Sequence, residues 1–181
     1  MTDTSFADLG LPAALLRAAT DLGFTTPTAI QERAIPALLE GRDITGIAQT
    51  GTGKTAAFGL PLLAAVDPDL GHVQALVLAP TRELAMQVAD AVTSFAAHLP
   101  RVDVVAVYGG SPYQPQVRAL QRGAQVVVGT PGRVIDLIEK GALRLDQIRF
   151  FVLDEADEML RMGFAEDVET ILASAPSTKQ V

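Results

Sequence analysis

Eight consecutive residues, A-Q-T-G-T-G-K-T at Ala48–Thr55, have the types and spacing of a loop that binds phosphate. A β-type run at 43–47 precedes them and an Ala- and Leu-rich segment at 56–65 follows, so strand, loop and helix come in the required order. Gly51 and Gly53 permit backbone angles that side chains forbid, which lets successive N–H groups converge on phosphate oxygens. The candidate phosphate-binding residues are Ala48, Gln49, Thr50, Gly51, Thr52, Gly53, Lys54 and Thr55.

Two side chains at the end of this loop have chemistry of their own. Lys54 would place a point charge at the β- and γ-phosphates of a nucleotide, and the Thr55 hydroxyl would be a magnesium ligand. The general pattern G-x-x-x-x-G-K-[ST] starts with glycine, whereas this chain has Ala48 at that position. A glycine-rich turn before an ordinary helix is therefore the alternative interpretation.

Carboxylates follow directly on the apolar run Phe150–Leu153, at D-E-A-D. The carboxyl end of a strand is where open α/β sheets bind ligands. Asp154 would hold magnesium, usually through water, and Glu155 would accept a proton from an attacking water or orient it. The alternative is a helix start that is rich in acids because of the helix dipole.

Strand-like and helix-like segments alternate along the rest of the chain. This alternation predicts an α/β fold, with a parallel sheet covered by helices on both faces. The predicted strands are 73–79, 102–107, 125–128 and 150–153, and the predicted helices include 114–121 and 130–139.

The N-terminal region precedes the phosphate-binding loop. An apolar stripe predicts one amphipathic helix from Phe6 to Leu22, stopped by Gly23. Thr26 is placed to cap a second helix, which has Pro27 in its first turn and runs to about Leu39.

Composition indicates one folded domain, since the chain has 181 residues, 49% of them hydrophobic and 19% charged. There is no cysteine, and His72 and His98 are far apart, which excludes disulfides and a structural zinc site. No apolar run approaches the length of a membrane span and the N-terminus lacks the layout of a signal peptide, so we expect a cytoplasmic protein. The net charge of −7 predicts weak, salt-sensitive binding to any nucleic acid.

Taken together, the motifs resemble the N-terminal RecA-like domain of the DEAD-box RNA helicases over nearly the whole chain. The matching motifs are A-Q-T-G-T-G-K-T (48–55), P-T-R-E-L-A (80–85), G-G (109–110), T-P-G-R (130–133) and D-E-A-D (154–157). The family's loop also begins with alanine, which removes the objection raised by Ala48. The continuation E-M-L-R-M-G-F is most similar to bacterial members, including the heat-resistant RNA-dependent ATPase type.

This resemblance gives a role to G-F-T-T-P-T-A-I-Q, which is similar to the family's Q motif. It implies that the amide of Gln31 reads the adenine edge, that Phe6 packs on the base, and that Thr26 contributes to the same pocket. The Q motif would occupy 1–31 and the ATP-binding core 32–181. The alternatives are a solvated Gln31 and a Phe6 that only anchors the core.

The resemblance also implies that Arg82, Gly110, Thr130 and Arg133 line an RNA path and hold phosphates without reading sequence. For the two arginines the alternative is a helix-surface salt bridge, with Glu83 or Asp136. Asp157 would contact a downstream motif rather than the metal. The partners implied are RNA and a second RecA-like domain, and the cofactors are ATP and Mg²⁺.

The family continues into a strand with a Ser-Ala-Thr motif and a second RecA-like domain with arginine fingers, beyond the last residue here, Val181. We therefore expect a chain that continues past Val181, or a sheet with a gap between the phosphate-loop strand and the D-E-A-D strand. The 181 residues alone would bind nucleotide weakly and hydrolyse almost none. The predicted function is ATP-dependent RNA unwinding; a binding module without turnover, or another P-loop enzyme such as a DNA translocase or small-molecule kinase, is the alternative.

Overall fold

The computed structural model describes residues 5–43 and 52–176. Its described strands are β1 (Ala75–Leu78), β2 (Val104–Val107), β3 (Val126–Gly129) and β4 (Phe150–Leu153). They form one parallel sheet in the order β2-β3-β1-β4. In register, Leu78 lies beside Gly129 on one side and Leu153 on the other, so the carboxyl ends of the central strands are level.

The helices lie on both faces of this sheet, as the alternating segments predict. Along β1, Ala75 and Val77 belong to one apolar cluster, while Leu76 and Leu78 belong to the other. The helices are α1 (Ala13–Asp21), α2 (Ala29–Leu39), α3 (Thr52–Ala64), α4 (Arg82–Phe95), α5 (Tyr113–Gln121), α6 (Pro131–Glu139), α7 (Ala156–Arg161) and α8 (Ala165–Ala173). The first cluster packs against α1 to α4 and the second against α5 to α8.

The prediction of one continuous helix from Phe6 to Leu22 is wrong. A short 3-10 helix at Phe6–Asp8 ends before Gly10, and α1 begins only after Pro12. Gly10 has a φ of +88°, a left-handed conformation that interrupts a right-handed helix. The apolar spacing continues across this break because both helices pack on the same core.

The cap of α2 is Thr28 rather than Thr26. The Thr28 hydroxyl accepts from the Gln31 N–H at 3.4 Å, and the Gln31 side-chain oxygen accepts from the Thr28 N–H at 2.9 Å. This reciprocal arrangement is a capping box, whose signature T-x-x-Q is present in T-A-I-Q. Two residues upstream, Thr26 has no such partner in sequence and is exposed.

The predicted strand at 43–47 lies almost wholly outside the described residues, as do 48–51 of the phosphate-binding loop. The expected gap between that strand and β4 therefore stays a prediction. Within the described sheet, β4 is an end strand. The helices described are all too short or too polar to cross a membrane.

Candidate nucleotide and nucleic-acid site

Lys54 meets the D-E-A-D carboxylates at the carboxyl end of the sheet. It lies in the first turn of α3, and its Nζ is 2.7 Å from Asp154 Oδ1 and 3.3 Å from Glu155 Oε1. The sequence predicts both groups, and the fold brings them together across 101 positions. The cation that would bind phosphate thus has two protein carboxylates as its partners.

The electrostatics of this cluster favour a charged lysine. Burial disfavours the ammonium of Lys54, but its 2.7 Å contact with Asp154 and the negative charges of Asp154 and Glu155 outweigh that effect. The pKa of Lys54 is therefore raised above its usual value of 10.5. The lysine side chain is 23% exposed and that of Asp154 is 4% exposed, so solvent screens their attraction only partly.

Backbone geometry places the two carboxylates differently. The Asp154 N–H continues the sheet by donating to Leu78 C=O at 2.9 Å. Glu155 follows in the left-handed conformation, with φ 57° and ψ 49°, and α7 begins at the next residue. That conformation is unfavourable for a residue with a side chain, and such strain clusters at functional sites.

Gln31 joins the Q-motif helix to the start of α3. Besides its capping contact, its Nε2 donates to Gly53 C=O at 3.0 Å, and the residue is 1% exposed. The structure thus contradicts a solvated Gln31. It also corrects the role of Gly53, which is helical: a Cβ there would lie 3.1 Å from the Thr28 methyl carbon, so glycine is needed for close approach rather than for an unusual angle.

The other two adenine candidates, Phe6 and Thr26, differ in exposure. Phe6 is 2% exposed and stacks on Phe24 with ring centroids 5.9 Å apart, as expected for a core anchor. Its N–H donates to Thr25 C=O at 3.1 Å, which ties the N-terminal segment to the Q motif. Thr26 is exposed beside it. A contact between Phe6 and a base stays a prediction.

Arg82 and Gly110 come together at the same edge of the sheet. The Arg82 guanidinium lies over the Tyr108 ring, 5.0 Å from its centroid. A Cβ added at Gly110 would be 3.8 Å from Arg82 Nη1, and the φ of +79° at Gly110 explains the glycine. Both residues are exposed, so this edge presents a cation and turn backbone to solvent.

Thr130 and Arg133 lie at the start of α6, beside that turn. The Thr130 N–H donates to Val107 C=O at 3.1 Å, and Thr130 is the N-cap. Arg133 donates from Nη1 to Gln116 Oε1 at 2.9 Å, so it faces the protein. Within residues 5–43 and 52–176, neither Arg82 nor Arg133 forms a salt bridge with a carboxylate, and Asp136 pairs with Lys140 instead.

Among the described residues, the candidate metal ligands Thr55 and Asp154 are not part of a preformed cluster of metal-binding side chains. Thr55 follows Lys54 in the first turn of α3 and is partly buried. In the described part of the chain, no three His, Cys, Asp or Glu side chains are grouped to hold a metal ion. Asp157, the last acid of D-E-A-D, contacts Arg161 on α7 at 3.5 Å and is exposed.

Three residues of the site were missed from the sequence. Tyr108 and Tyr113 lie under arginine guanidinium groups, and Gln116 is a buried amide between the G-G turn and α6. Tyr108 directly precedes the G-G turn in the sequence, so its position next to this motif could have identified it as a site residue. Gln116 resembles any helical glutamine in the sequence, because burial by a neighbouring loop leaves no local pattern.

A parallel α/β sheet with a helix-start lysine beside strand-end carboxylates defines a RecA-like P-loop domain. Residues 28–181 match the family described as DEAD/DEAH box helicase. The chain therefore belongs to the DEAD/DEAH box helicase family, as its motifs predict.

Individual relatives agree. The chain is 60% identical over 178 residues to the ATP-dependent RNA helicase DeaD of Klebsiella pneumoniae, covering 98% of this chain and 28% of that protein. A DEAD box protein from Methanococcus jannaschii superposes with a TM-score of 0.92 at 44% identity, over 97% of this chain and 48% of the other. Dbp5 of S. cerevisiae, solved with RNA and ADP BeF3, superposes with a TM-score of 0.88 at 38% identity, over 97% of this chain and 44% of Dbp5. This bacterial relative agrees with the bacterial resemblance predicted from E-M-L-R-M-G-F. The finer resemblance to the heat-resistant RNA-dependent ATPase type stays a prediction.

Proposed function

We propose that this chain is the N-terminal, ATP-binding domain of an ATP-dependent RNA helicase. The observation that carries the proposal is the contact of Lys54 with Asp154 and Glu155, which puts a phosphate-binding cation and two catalytic candidates within 3.3 Å. The chain spans 28% of the length of its DeaD relative, so the complete activity would require a further part of the protein.

The proposed division of labour follows from position. Lys54 moves from the carboxylates to the β- and γ-phosphates when nucleotide binds, which frees Glu155 to orient water or accept its proton. Asp154, buried and fixed by the sheet, stays in place as the metal-facing carboxylate. Glu155 has a strained backbone, and its carboxylate lies 3.3 Å from Lys54 Nζ.

The residues present suit Mg²⁺. Oxygen ligands are what this ion takes, and it often uses one or two carboxylates together with phosphate oxygens and water. Asp154 Oδ1 is buried and has an ionic contact to Lys54 without a well-directed hydrogen bond, so it keeps capacity for a cation. Asp154 and the Thr55 hydroxyl would hold the ion, which when bound would neutralise charge on the phosphates.

Adenine recognition is proposed for Gln31. Its amide can donate and accept at once, which suits the N6 and N7 edge of adenine and opposes the O6 of guanine. In this structure the donor is used by Gly53 C=O. Base binding would therefore release that bond and loosen the start of α3 at the moment nucleotide enters.

RNA and a second RecA-like domain are the proposed partners. Arg82, Gly110 and Thr130 would bind phosphates at the edge where the G-G turn meets α6, with no base readout. The solved relative Dbp5 was bound to RNA, which supports this choice. Arginine fingers from the second domain would contribute on the order of 10³ to 10⁵ in rate. A cytoplasmic location stays a prediction from composition.

The test is ATP hydrolysis by the protein that carries this chain together with its remaining length. We expect stimulation by single-stranded RNA, little by single-stranded DNA of the same sequence, and almost no turnover by residues 1–181 alone. Glu155→Gln should lower kcat by about 10²-fold or more and leave ATP binding intact.

Glu158→Gln on α7 is the matched control, because Glu158 contacts Arg161 rather than Lys54. It should retain wild-type kcat. Equal stimulation by DNA and RNA would instead favour a DNA translocase, and a Glu155→Gln variant as active as Glu158→Gln would refute the catalytic assignment.

A further inference from the structure

The turn that carries Gly109 and Gly110 is held from its inner side by one buried residue, Gln116. This residue lies on α5 and is 7% exposed. Its Nε2 donates to Ser111 Oγ at 2.7 Å and to Tyr108 C=O at 3.3 Å. Both ends of the turn are therefore bonded to the same amide nitrogen.

The amide oxygen of Gln116 bonds toward α6. It accepts from Arg133 Nη1 at 2.9 Å, while Arg133 Nη2 donates to Ser111 C=O at 3.4 Å. The same guanidinium lies over the Tyr113 ring, 5.5 Å from its centroid. Arg133 thus links the start of α6 to the turn through Gln116, and its described contacts are with protein groups.

The outer side of the turn is open. A Cβ added at Gly109 would meet no atom within 4 Å, and the nearest atom to one at Gly110 is an Arg82 nitrogen. Arg82 itself rests on Tyr108, whose carbonyl is one of the groups that Gln116 holds. The surface available to a phosphate backbone is thus fixed from behind by Gln116.

We infer that Gln116 is a positioning residue for RNA-backbone binding, setting the G-G turn relative to Arg82 and α6 without contacting RNA. The inference rests on the proposed function. An amide suits this place because one atom donates to the turn while the other accepts from Arg133. A carboxylate would keep the Arg133 contact, but it has no N–H for the Tyr108 carbonyl and would accept the Ser111 hydroxyl proton, which Ser111 now donates to that same carbonyl at 3.2 Å.

The test compares Gln116→Glu with Gln114→Glu, an exposed position on the same helix, in the protein that carries this chain. Gln116→Glu should raise the RNA concentration for half-maximal ATPase stimulation about tenfold, with kcat at saturating RNA and the Kd for ADP within about twofold of wild type. The slope of log Kd for RNA against log salt should fall by about 0.7 for each phosphate that the protein no longer neutralises. General destabilisation would not change that slope.

The inference is wrong if Gln116→Glu and Gln114→Glu have the same half-saturating RNA concentration and the same salt slope. The proposed function would still stand in that case. A wild-type protein without RNA stimulation would overturn the proposed function itself, and the inference with it. Should Gln116→Glu lose its cooperative thermal transition, Ser111→Ala decides, because it deletes the hydroxyl that Gln116 donates to. We expect about a threefold rise in half-saturation there, and no rise would overturn the inference.

Discussion

At the amino ends of the strands Gln74 and Gln125 bond to loop backbone, whereas at the carboxyl ends Lys54, Asp154 and Glu155 contact one another. Gln74 accepts from the Asp67 N–H at 2.7 Å and donates to two carbonyls, at 2.8 and 3.1 Å. Gln125 accepts from the Asp103 N–H at 2.8 Å and donates to Arg101 C=O at 2.8 Å and Pro68 C=O at 3.4 Å.

At the carboxyl ends of the strands, by contrast, not every buried polar atom has a hydrogen-bond partner. Asp154 Oδ1 has an ionic contact but no well-directed hydrogen bond, and Glu155 has a strained backbone. A nucleotide whose phosphates bind Lys54 would thus replace contacts between side chains and leave the apolar core packed. Buried amides stabilise the fold at one end of the sheet, whereas we propose that the charged groups at the other end exchange partners when nucleotide binds.

The largest expected effect is on stability, at the amino end. Gln74→Leu leaves two loop carbonyls and one loop N–H without their partner, so we expect the free energy of unfolding to fall by about 3 kcal/mol. Urea unfolding measures this change. The Kd for Mg-ADP of the remaining folded protein should match wild type, because Gln74 lies at the opposite end of the sheet.

Gln87→Leu is the control for Gln74→Leu. Gln87 is exposed on α4, and its replacement should change the free energy of unfolding by no more than about 0.5 kcal/mol. Equal effects of the two substitutions would contradict a structural role for the buried amide.

A smaller effect is expected at Glu155. Glycine adopts the left-handed conformation without strain and alanine does not, so Glu155→Gly should be about 1 kcal/mol more stable than Glu155→Ala. Neither variant can contact Lys54 through its side chain, which makes their difference a measure of the backbone alone. Thermal unfolding of the two side by side gives the answer, and a more stable alanine variant would exclude strain at this residue.

The smallest effect is the pH dependence that follows from the raised pKa of Lys54. A pKa raised on folding stabilises the protein fully below the unfolded value of 10.5, and this stabilisation is lost as pH rises through the higher folded value. The stability difference between wild type and Lys54→Met should therefore be constant near neutral pH and shrink above pH 10.5. Lys140→Met, on the surface, is the comparison variant. A stability difference between wild type and Lys54→Met that grows at high pH would contradict the contacts of Lys54 with Asp154 and Glu155.

Local patterns were enough for much of the fold. Phe150–Leu153 was predicted with its observed bounds because a short apolar run before D-E-A-D has few other interpretations. The prediction of a helix from Phe6 to Leu22 was wrong because apolar spacing continues across Gly10, and spacing alone does not reveal a break in the helix. Thr28 was missed although its capping-box partner, Gln31, had been singled out.

The candidate site was predicted as a set of residues but not as an arrangement. The motifs named Lys54 and Glu155, yet nothing local indicates that they bind each other across 101 positions. The left-handed backbone at Glu155 and the inward-facing Arg133 likewise depend on neighbours distant in sequence. Such contacts follow from the order of the strands in the sheet, which sequence periodicity does not specify.

The most direct test of the central claim, that the carboxyl-end groups bind one another until nucleotide replaces them, is a calorimetric titration of Asp154→Asn with ADP, with and without Mg²⁺. Removing the charge 2.7 Å from Lys54 should make metal-free ADP bind about tenfold tighter than it binds wild type, while Mg-ADP binds more weakly. Asp157→Asn removes the same charge from an exposed position on α7 and should change neither affinity by more than about twofold. Weaker binding of both ligands by Asp154→Asn, or no difference from Asp157→Asn, would contradict the account.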